Sequence, residues 1–319
     1  MSSYDQKPVS LFLFFLIIFF VLTIIDSACA EQKSKTINTS EELAVDNVCM
    51  ENSLHPLDCS KYPEALICYK FKDQESVDAL FPGKTCRGCK PGPLYDQREQ
   101  AGKLTVASKC GANSSGTFHF NWKTANDDLW VQFRFKPEKG LIREAAKYKI
   151  PSWKMMVLWR GASSCTDQEF AVVNGDYRGF PQFYEACGSQ GYKLNNPTGR
   201  NKYNYDMQPG GETHCFYKWR ETETKPCFEF REEWATYTFY FDLDGSKNEF
   251  GIPIVKGWAQ YDGENRVQIL EYPLQSVRFL EHGYFGPYMT RKDAKIEHPE
   301  WAVWYQDFLV TEQPLISDY

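Results

Sequence analysis

The 319-residue chain carries 36 basic and 42 acidic side chains, a net charge of −6, with 42% hydrophobic and 24% charged residues. It therefore lacks both the low hydrophobicity and the charge excess of a disordered chain, and it is long enough for a core of ordinary size. No long basic block offers a footprint for a polyphosphate, which sets nucleic acid aside as a partner. The 23 Phe, 19 Tyr and 9 Trp make 16% of the chain, and aromatic side chains of this kind suit the half-buried surface of pleated strands.

Residues 11–25 form an apolar run broken only by Thr23, after a short polar stretch with Lys7. As a helix this run would span about 22 Å, short of the roughly 30 Å hydrocarbon core of a bilayer. Ala28-Cys29-Ala30 supplies the small-x-small pattern of a cleavage site. Residues 1–30 are therefore expected to be a signal peptide, the mature protein to be secreted, and no membrane partner to remain after cleavage. Of the 11 cysteines, Cys29 lies in this segment, which leaves an even number for an oxidising compartment. By spacing, Cys165 with Cys187 and Cys215 with Cys227 form local disulfide pairs. Cys86-Arg87-Gly88-Cys89 has no matching second pair and no nearby histidine, so it reads as part of the staple framework rather than as a zinc or redox site. Asn38-Thr39-Ser40 and Asn113-Ser114-Ser115 are glycosylation sequons.

Residues 31–95 are irregular, with cysteines scattered among Pro and Gly, and read as a disulfide-rich N-terminal extension with one helical turn at 76–81. Residues 96–319 read as the main domain. There the period changes to two: residues 117–122 and 130–136 alternate, residues 153–159 and 169–173 are short apolar runs, and residues 234–241 are aromatic and β-branched. Residues 252–261 and 266–271 flank Asp262-Gly263-Glu264-Asn265, a hairpin turn. Residues 303–310 form the last strand. Helical periodicity is confined to 141–149 and 292–296. The expected fold is an all-β antiparallel sandwich or jelly roll. The hydrophobic pattern also suggests that Trp122 pairs with Leu129 across a short turn, which places Phe118 opposite Phe133 and gathers His119, Asn121, Gln132 and Arg134 on the other face.

The segment Cys165-Thr166-Asp167-Gln168-Glu169-Phe170-Ala171-Val172-Val173-Asn174, followed by Arg178-Gly179-Phe180-Pro181-Gln182-Phe183-Tyr184 and Cys187-Gly188, resembles a family of secreted proteins of unsettled function. Glu233-Trp234-Ala235-Thr236, the 215–227 loop and the ending Val303-Trp304-Tyr305-Gln306-Asp307-Phe308-Leu309-Val310 match it as well. The resemblance spans roughly residues 100–315 and implies a concanavalin-A-like jelly roll. Residues 130–136 are similar to a strand of jelly-roll polysaccharide lyases. In one departure from the family, Glu185 follows Tyr184 where a histidine is expected.

A polysaccharide β-elimination needs a group to neutralise the uronate carboxylate, a base for the C5 proton and an acid for the leaving oxygen. His119, Arg134 and Tyr184 are the candidate catalytic residues. Asn121, Trp130, Gln132, Arg178, Gln182, Trp258 and Gln260 are the candidate substrate-binding residues, with Trp130 and Trp258 as sugar platforms. No run of alternating acids on one strand supports a glycoside hydrolase, and no nucleophile elbow supports a serine hydrolase. The partner expected is a glycan, bound and then cleaved. The rival readings are a lectin-like module without chemistry and an extracellular structural protein. No cofactor is expected. Residues 242–249 carry oxygen ligands suited to calcium, but without the spacing of an EF-hand loop. His55, His214, His282 and His298 stand singly and read as surface or capped residues. Oligomeric state is not set by any of these features.

Overall fold

In the computed structural model, the described residues are 57–81, 92–108, 116–125, 127–150, 152–161, 169–174, 179, 181–186, 205–206, 228–247, 251–274, 277–290 and 292–315. Their strands are β1 (Ile67–Tyr69), β2 (Leu94–Asp96), β3 (Ala101–Val106), β4 (Phe118–Ala125), β5 (Asp128–Pro137), β6 (Ser152–Trp159), β7 (Glu169–Asn174), β8 (Pro181–Ala186), β9 (Tyr205–Asp206), β10 (Ala235–Asp242), β11 (Ile254–Tyr261), β12 (Val267–Pro273), β13 (Leu280–Thr290) and β14 (Trp301–Thr311). An eight-stranded sheet runs β12-β11-β10-β5-β14-β3-β2, with β1 also paired to β14, and a six-stranded sheet runs β4-β13-β6-β7-β8-β9. The strand pairs are antiparallel, and the two sheets form a sandwich.

Alternation along each strand decides which side chains meet between the sheets. Leu129, Val131, Phe133 and Phe135 of β5, and Tyr237, Phe239 and Phe241 of β10, are buried in one core with Phe118 and Phe120 of β4 and Phe170 of β7. Phe133 stands edge-on to Phe285 with centroids 4.9 Å apart, and Phe285 meets Phe308 at 4.7 Å. Tyr305, fully buried, donates its hydroxyl hydrogen to the Met155 carbonyl at 2.8 Å and so ties the two sheets by a satisfied polar contact. Gly102 of β3 is required by close approach. A Cβ there would lie 2.7 Å from both Phe118 and Phe71, so a ring fills the space of its side chain.

The expected pairing of Trp122 with Leu129 does not form. β4 pairs with β13 in the six-stranded sheet, with His119 opposite Tyr284, whereas β5 lies between β10 and β14 in the eight-stranded sheet. Consecutive in the chain, β4 and β5 therefore lie in different sheets and do not form a hairpin. Both strands still turn Phe118, Phe120, Val131 and Phe133 inward, because core burial constrains the face of a strand and not its neighbour. The hairpin at 262–265 does form. β11 pairs with β12, Gly263 takes φ +78° and Glu264 N–H donates to the Tyr261 carbonyl at 3.0 Å.

Helical structure is slighter than the periodicity suggests. Helix α1 (Gln74–Ala79) is fixed by Asp73, which accepts from Ser76 N–H at 2.8 Å while the Ser76 hydroxyl accepts from Asp73 N–H at 3.1 Å. Helix α2 (Lys139–Arg143) is followed by a 3-10 turn at Ala145–Tyr148. Residues 292–296 form turns and not a helix. In the N-terminal segment, Cys59 and Cys68 are joined by a disulfide, and β1 hydrogen-bonds to β14 as an added strand. Leu57, Tyr62 and Leu309 bury one another there. The Cys165, Cys187, Cys215 and Cys227 pairings, the 1–30 segment and both sequons lie outside the described residues.

Truncating Phe133 to Ala removes the ring that touches Phe285, Tyr237, Tyr305 and Phe308. A loss of about 3–5 kcal/mol is expected in urea unfolding, because neighbouring rings anchored in two sheets cannot collapse into the void.

Candidate functional site

The outer face of the six-stranded sheet carries most of the reactive side chains. Strand register sorts them into three rows. Asn121, His282, Trp159 and Glu169 form the first, and His119, Tyr284, Val157, Ala171 and Tyr184 the second. Tyr288, Lys154, Val173 and Gln182 form the third. Val157, Ala171, Val173, Trp159 and Tyr284 make a buried apolar cluster on this face, separate from the core between the sheets.

His119 sits at the β4 end of the second row. Its ring is 5.8 Å from Tyr284 and 6.3 Å from Trp159 between centroids. Nε2 lies 2.6 Å from the Thr117 hydroxyl. Burial among these rings holds the imidazole below the ordinary histidine pKa, so it is neutral at neutral pH. When Nε2–H donates to Thr117, Nδ1 keeps the lone pair that a base requires. One row away, His282 Nδ1 lies 2.8 Å from Asn121 Oδ1. With the Asn121 carbonyl accepting from His282, the Asn121 amide hydrogens remain as donors on an exposed side chain. His282 Nε2 is 3.3 Å from Glu281.

Lys154 and Glu169 form an ion pair at 3.0 Å, with side chains 10% and 0% exposed. Lys154 is opposite Val173 and Glu169 is opposite Trp159, so the Val157 and Ala171 pair lies between them in register. The two long side chains therefore reach toward each other along the strands, over two small residues that are fully buried. Lys154 Nζ also lies 5.3 Å from the centre of the Tyr288 ring.

Arg134 and Gln132 are on the opposite side of the sandwich, on the outer face of the eight-stranded sheet. Arg134 is opposite Thr236 and Gln306, its guanidinium binds Asp262, donates to Gln306 at 3.1 Å and lies 5.2 Å from the Trp234 ring. This guanidinium is already matched by a carboxylate of its own fold. Gln132 is buried and accepts from the Thr238 hydroxyl at 3.3 Å. Trp130, Trp258 and Gln260 share this face, as alternation implies, and Gln260 donates to the Glu264 carbonyl at 2.9 Å.

The expected trio of His119, Arg134 and Tyr184 is thus not assembled. Arg134 is separated from His119 by the full thickness of the sandwich, because β4 and β5 belong to different sheets. Tyr184 shares a row with His119 but is four strands away, about 19 Å at the usual strand spacing. Gln182, buried, lies on this same face, whereas Arg178 lies outside the described residues. Glu185, in the place of the expected histidine, has the inward parity of β8 and accepts from Val277 N–H at 3.0 Å, which makes it a buried anchor for the chain entering β13. Missed by the sequence reading were Tyr284 and His282, which lie beside His119 and Asn121. The alternation of His282 and Tyr284 with the inward Gly283 and Phe285 was the available signal. The Asp242 and Asp244 carboxylates accept from Lys247 and Ser246 N–H at 3.1 and 2.8 Å and shape the turn after β10. Among the described residues, no three His, Cys, Asp or Glu side chains converge as a metal-holding group.

No family model matches the chain, and no curated protein matches it in sequence. Among solved structures it is similar to the alginate lyase Aly36B, at 9% identity and a TM-score of 0.45, covering 78% of this chain and 98% of that one. It is also similar to the alginate lyase vAL-1 from Chlorella virus, at 9% identity and a TM-score of 0.43, covering 78% and 100%. A botulinum neurotoxin type C structure, described as entering cells through interaction with two ganglioside molecules, is similar at 9% identity and a TM-score of 0.39, covering 70% of this chain and 42% of that one.

Replacing Lys154 by Met leaves the Glu169 carboxylate buried without its ammonium partner, and a loss of about 3–5 kcal/mol is expected. Adding Glu169→Gln to that variant restores part of the loss, as thermal or urea unfolding of both proteins would measure.

Proposed function

We propose that the protein binds an anionic polysaccharide along the outer face of the six-stranded sheet and cleaves it by β-elimination at the β4–β13 edge. The observation that carries this reading is the neutral His119 imidazole set against Tyr284, one row from the Asn121 amide. A uronate needs three things at one place, and these three side chains supply them. The Asn121 amide hydrogens bind the carboxylate and draw charge from it as the carbanion develops. His119 Nδ1 takes the C5 proton. The bond between C4 and the glycosidic oxygen then breaks, the C5–H electrons form the C4–C5 double bond, and Tyr284 delivers a proton to the departing oxygen. The electron count closes without an oxidant or a cofactor. Lys154 and Glu169 support this face by covering its floor, and Gln182 lies farther along it, where a chain passing over the third row would run.

The reading includes export. Residues 1–30 act as a signal peptide, and the mature chain works outside the cell on a glycan. Among the described residues no helix is long and apolar enough to cross a membrane.

Incubating the mature protein with uronate-containing and neutral glycans, while following the ultraviolet absorbance of the unsaturated product, tests the reading. Product is expected from a uronate polymer, with kcat falling at least a hundredfold in His119→Ala and Tyr284→Phe. Binding without absorbance for every polymer would sink the elimination step and leave a lectin-like module. The pH dependence follows from the depressed His119 pKa: kcat/KM is held through neutral pH and is lost only as pH falls below the ordinary histidine range near 6.5, through the lower folded-state value. A loss centred above that range would assign the base to another group.

A further inference from the structure

We infer that the outer face of the eight-stranded sheet carries a second polysaccharide contact, a ring platform made by Trp130, Tyr240 and Trp258 that holds a glycan without chemistry. The inference rests on the reading that the ligand is a polysaccharide, and it places a separate contact on the opposite side of the sandwich from His119.

The platform is built by register. Trp130 of β5 is opposite Tyr240 of β10, and Trp258 of β11 is opposite Thr238, so the two indoles flank β10 on a diagonal. All three residues are half-buried. The Trp130 and Tyr240 centroids are 4.6 Å apart. Trp130 and Trp258 are 6.0 Å apart with planes only 16° from parallel. If the planes were in van der Waals contact, that separation would still require a lateral offset of about 5 Å, so neither indole covers the other. Tyr240 is fixed in turn by a 2.8 Å hydrogen bond from its hydroxyl to Asp128. On the far side of β5, Gln132 is opposite Leu309, which is packed under Leu57, Tyr62 and the Cys59–Cys68 segment. The N-terminal segment therefore borders the platform on that side.

The other two outward indoles of the sheet show what a structural tryptophan looks like here. Trp304 Nε1–H donates to Asp96 at 2.9 Å, with Lys103 and Lys136 both over its ring. Trp234 Nε1–H donates to Glu99 at 3.0 Å, under Arg134. Trp130 and Trp258 make no such indole hydrogen bond among the described residues. Their N–H groups stay available to a hydroxyl.

The neighbours of the rings identify the occupant. The outward positions beside them are Thr238 and Gln132 in one direction and Lys256, Gln268 and Glu271 in the other, and the Arg266 guanidinium lies over one face of the Trp258 ring at 4.7 Å, as cations lie over Trp234 and Trp304. A protein interface has a contiguous apolar centre with charged groups pushed to its rim. Here every ring is bordered by hydrogen-bonding groups, and among the described residues the exposed large hydrophobics are Leu94 and Ile252, which are not platform residues. A pyranose has the complementary pattern, with C–H groups on its faces and hydroxyls around its edge.

The test compares the mature wild type with Trp130→Ala/Trp258→Ala, Trp130→Phe/Trp258→Phe and His119→Ala. Each is measured for retention on a panel of insoluble polysaccharides and for turnover of short soluble uronate oligosaccharides, with thermal melting to verify folding. The expected result is at least a tenfold loss of retention in the alanine pair, partial recovery in the phenylalanine pair, and unchanged turnover of the short substrate. His119→Ala should show the reverse, with retention kept. Retention unchanged in a folded alanine pair would overturn the platform while leaving the elimination reading intact. Retention that depends on the indoles, in a protein that forms no unsaturated product, would keep the platform and remove the elimination reading. A wild type retained by no polysaccharide would overturn the platform, and one that also forms no unsaturated product would overturn both. If the alanine pair fails to fold, the phenylalanine pair decides: a folded protein with retention lowered supports the platform, and one with retention unchanged overturns it.

Discussion

Phe133, Phe285, Tyr305 and Phe308 meet between the two sheets, and the rest of the molecule is arranged around that contact. Rings from β5, β13 and β14 interlock edge to face, which fixes the distance and the rotation of one sheet against the other. A strand that turns one set of side chains into this layer must turn the next set outward. The position of every residue on either outer face is therefore a consequence of which ring its neighbour offers to the core.

The two outer faces differ in how their polar groups are satisfied. On the eight-stranded sheet, charge is neutralised locally: Arg134 binds Asp262, Lys136 binds Glu99 at 2.9 Å and Lys256 binds Glu271 at 3.3 Å. Such pairs near the surface contribute little to stability, and they leave a flat face whose distinctive content is aromatic. The six-stranded sheet holds its ion pair, Lys154 with Glu169, below the surface, and it sets a half-buried histidine beside a tyrosine. Desolvation there depresses a proton affinity that water would otherwise keep ordinary. The proposed acid–base chemistry draws on this second environment, and the proposed ring contact on the first.

The bulge in β14 shows how locally the outer faces are tuned. Register shifts between Gln306 and Leu309, and Asp307 takes φ 52°, a left-handed conformation that Asp tolerates better than most side chains. Burial raises the Asp307 pKa. The shift keeps Phe308 in the core and sends Gln306 outward, where its amide donates to the Glu99 and Gln100 carbonyls at 2.6 and 3.0 Å and its oxygen receives Arg134. One extra residue thus serves both the interior layer and the network that occupies Arg134.

By itself, the sequence determined the all-β fold class, the inward and outward sets of β4 and β5 and the hairpin at Gly263, because alternation and turn chemistry are local properties of the chain. For the same reason it placed Trp130, Gln132 and Arg134 on one face of their strand, and Trp258 and Gln260 on one face of theirs. It could not determine which strands are neighbours. Phe118 and Phe120 are equally well buried whether β4 lies beside β5 or in the sheet across the core, so the hydrophobic pattern is blind to that choice. Only the tertiary structure decided it, through the pairing of β4 with β13 and of β5 with β10 and β14. That decision separated His119 from Arg134 and brought it to Tyr284, a residue 165 positions away in a strand whose own histidine had looked solitary.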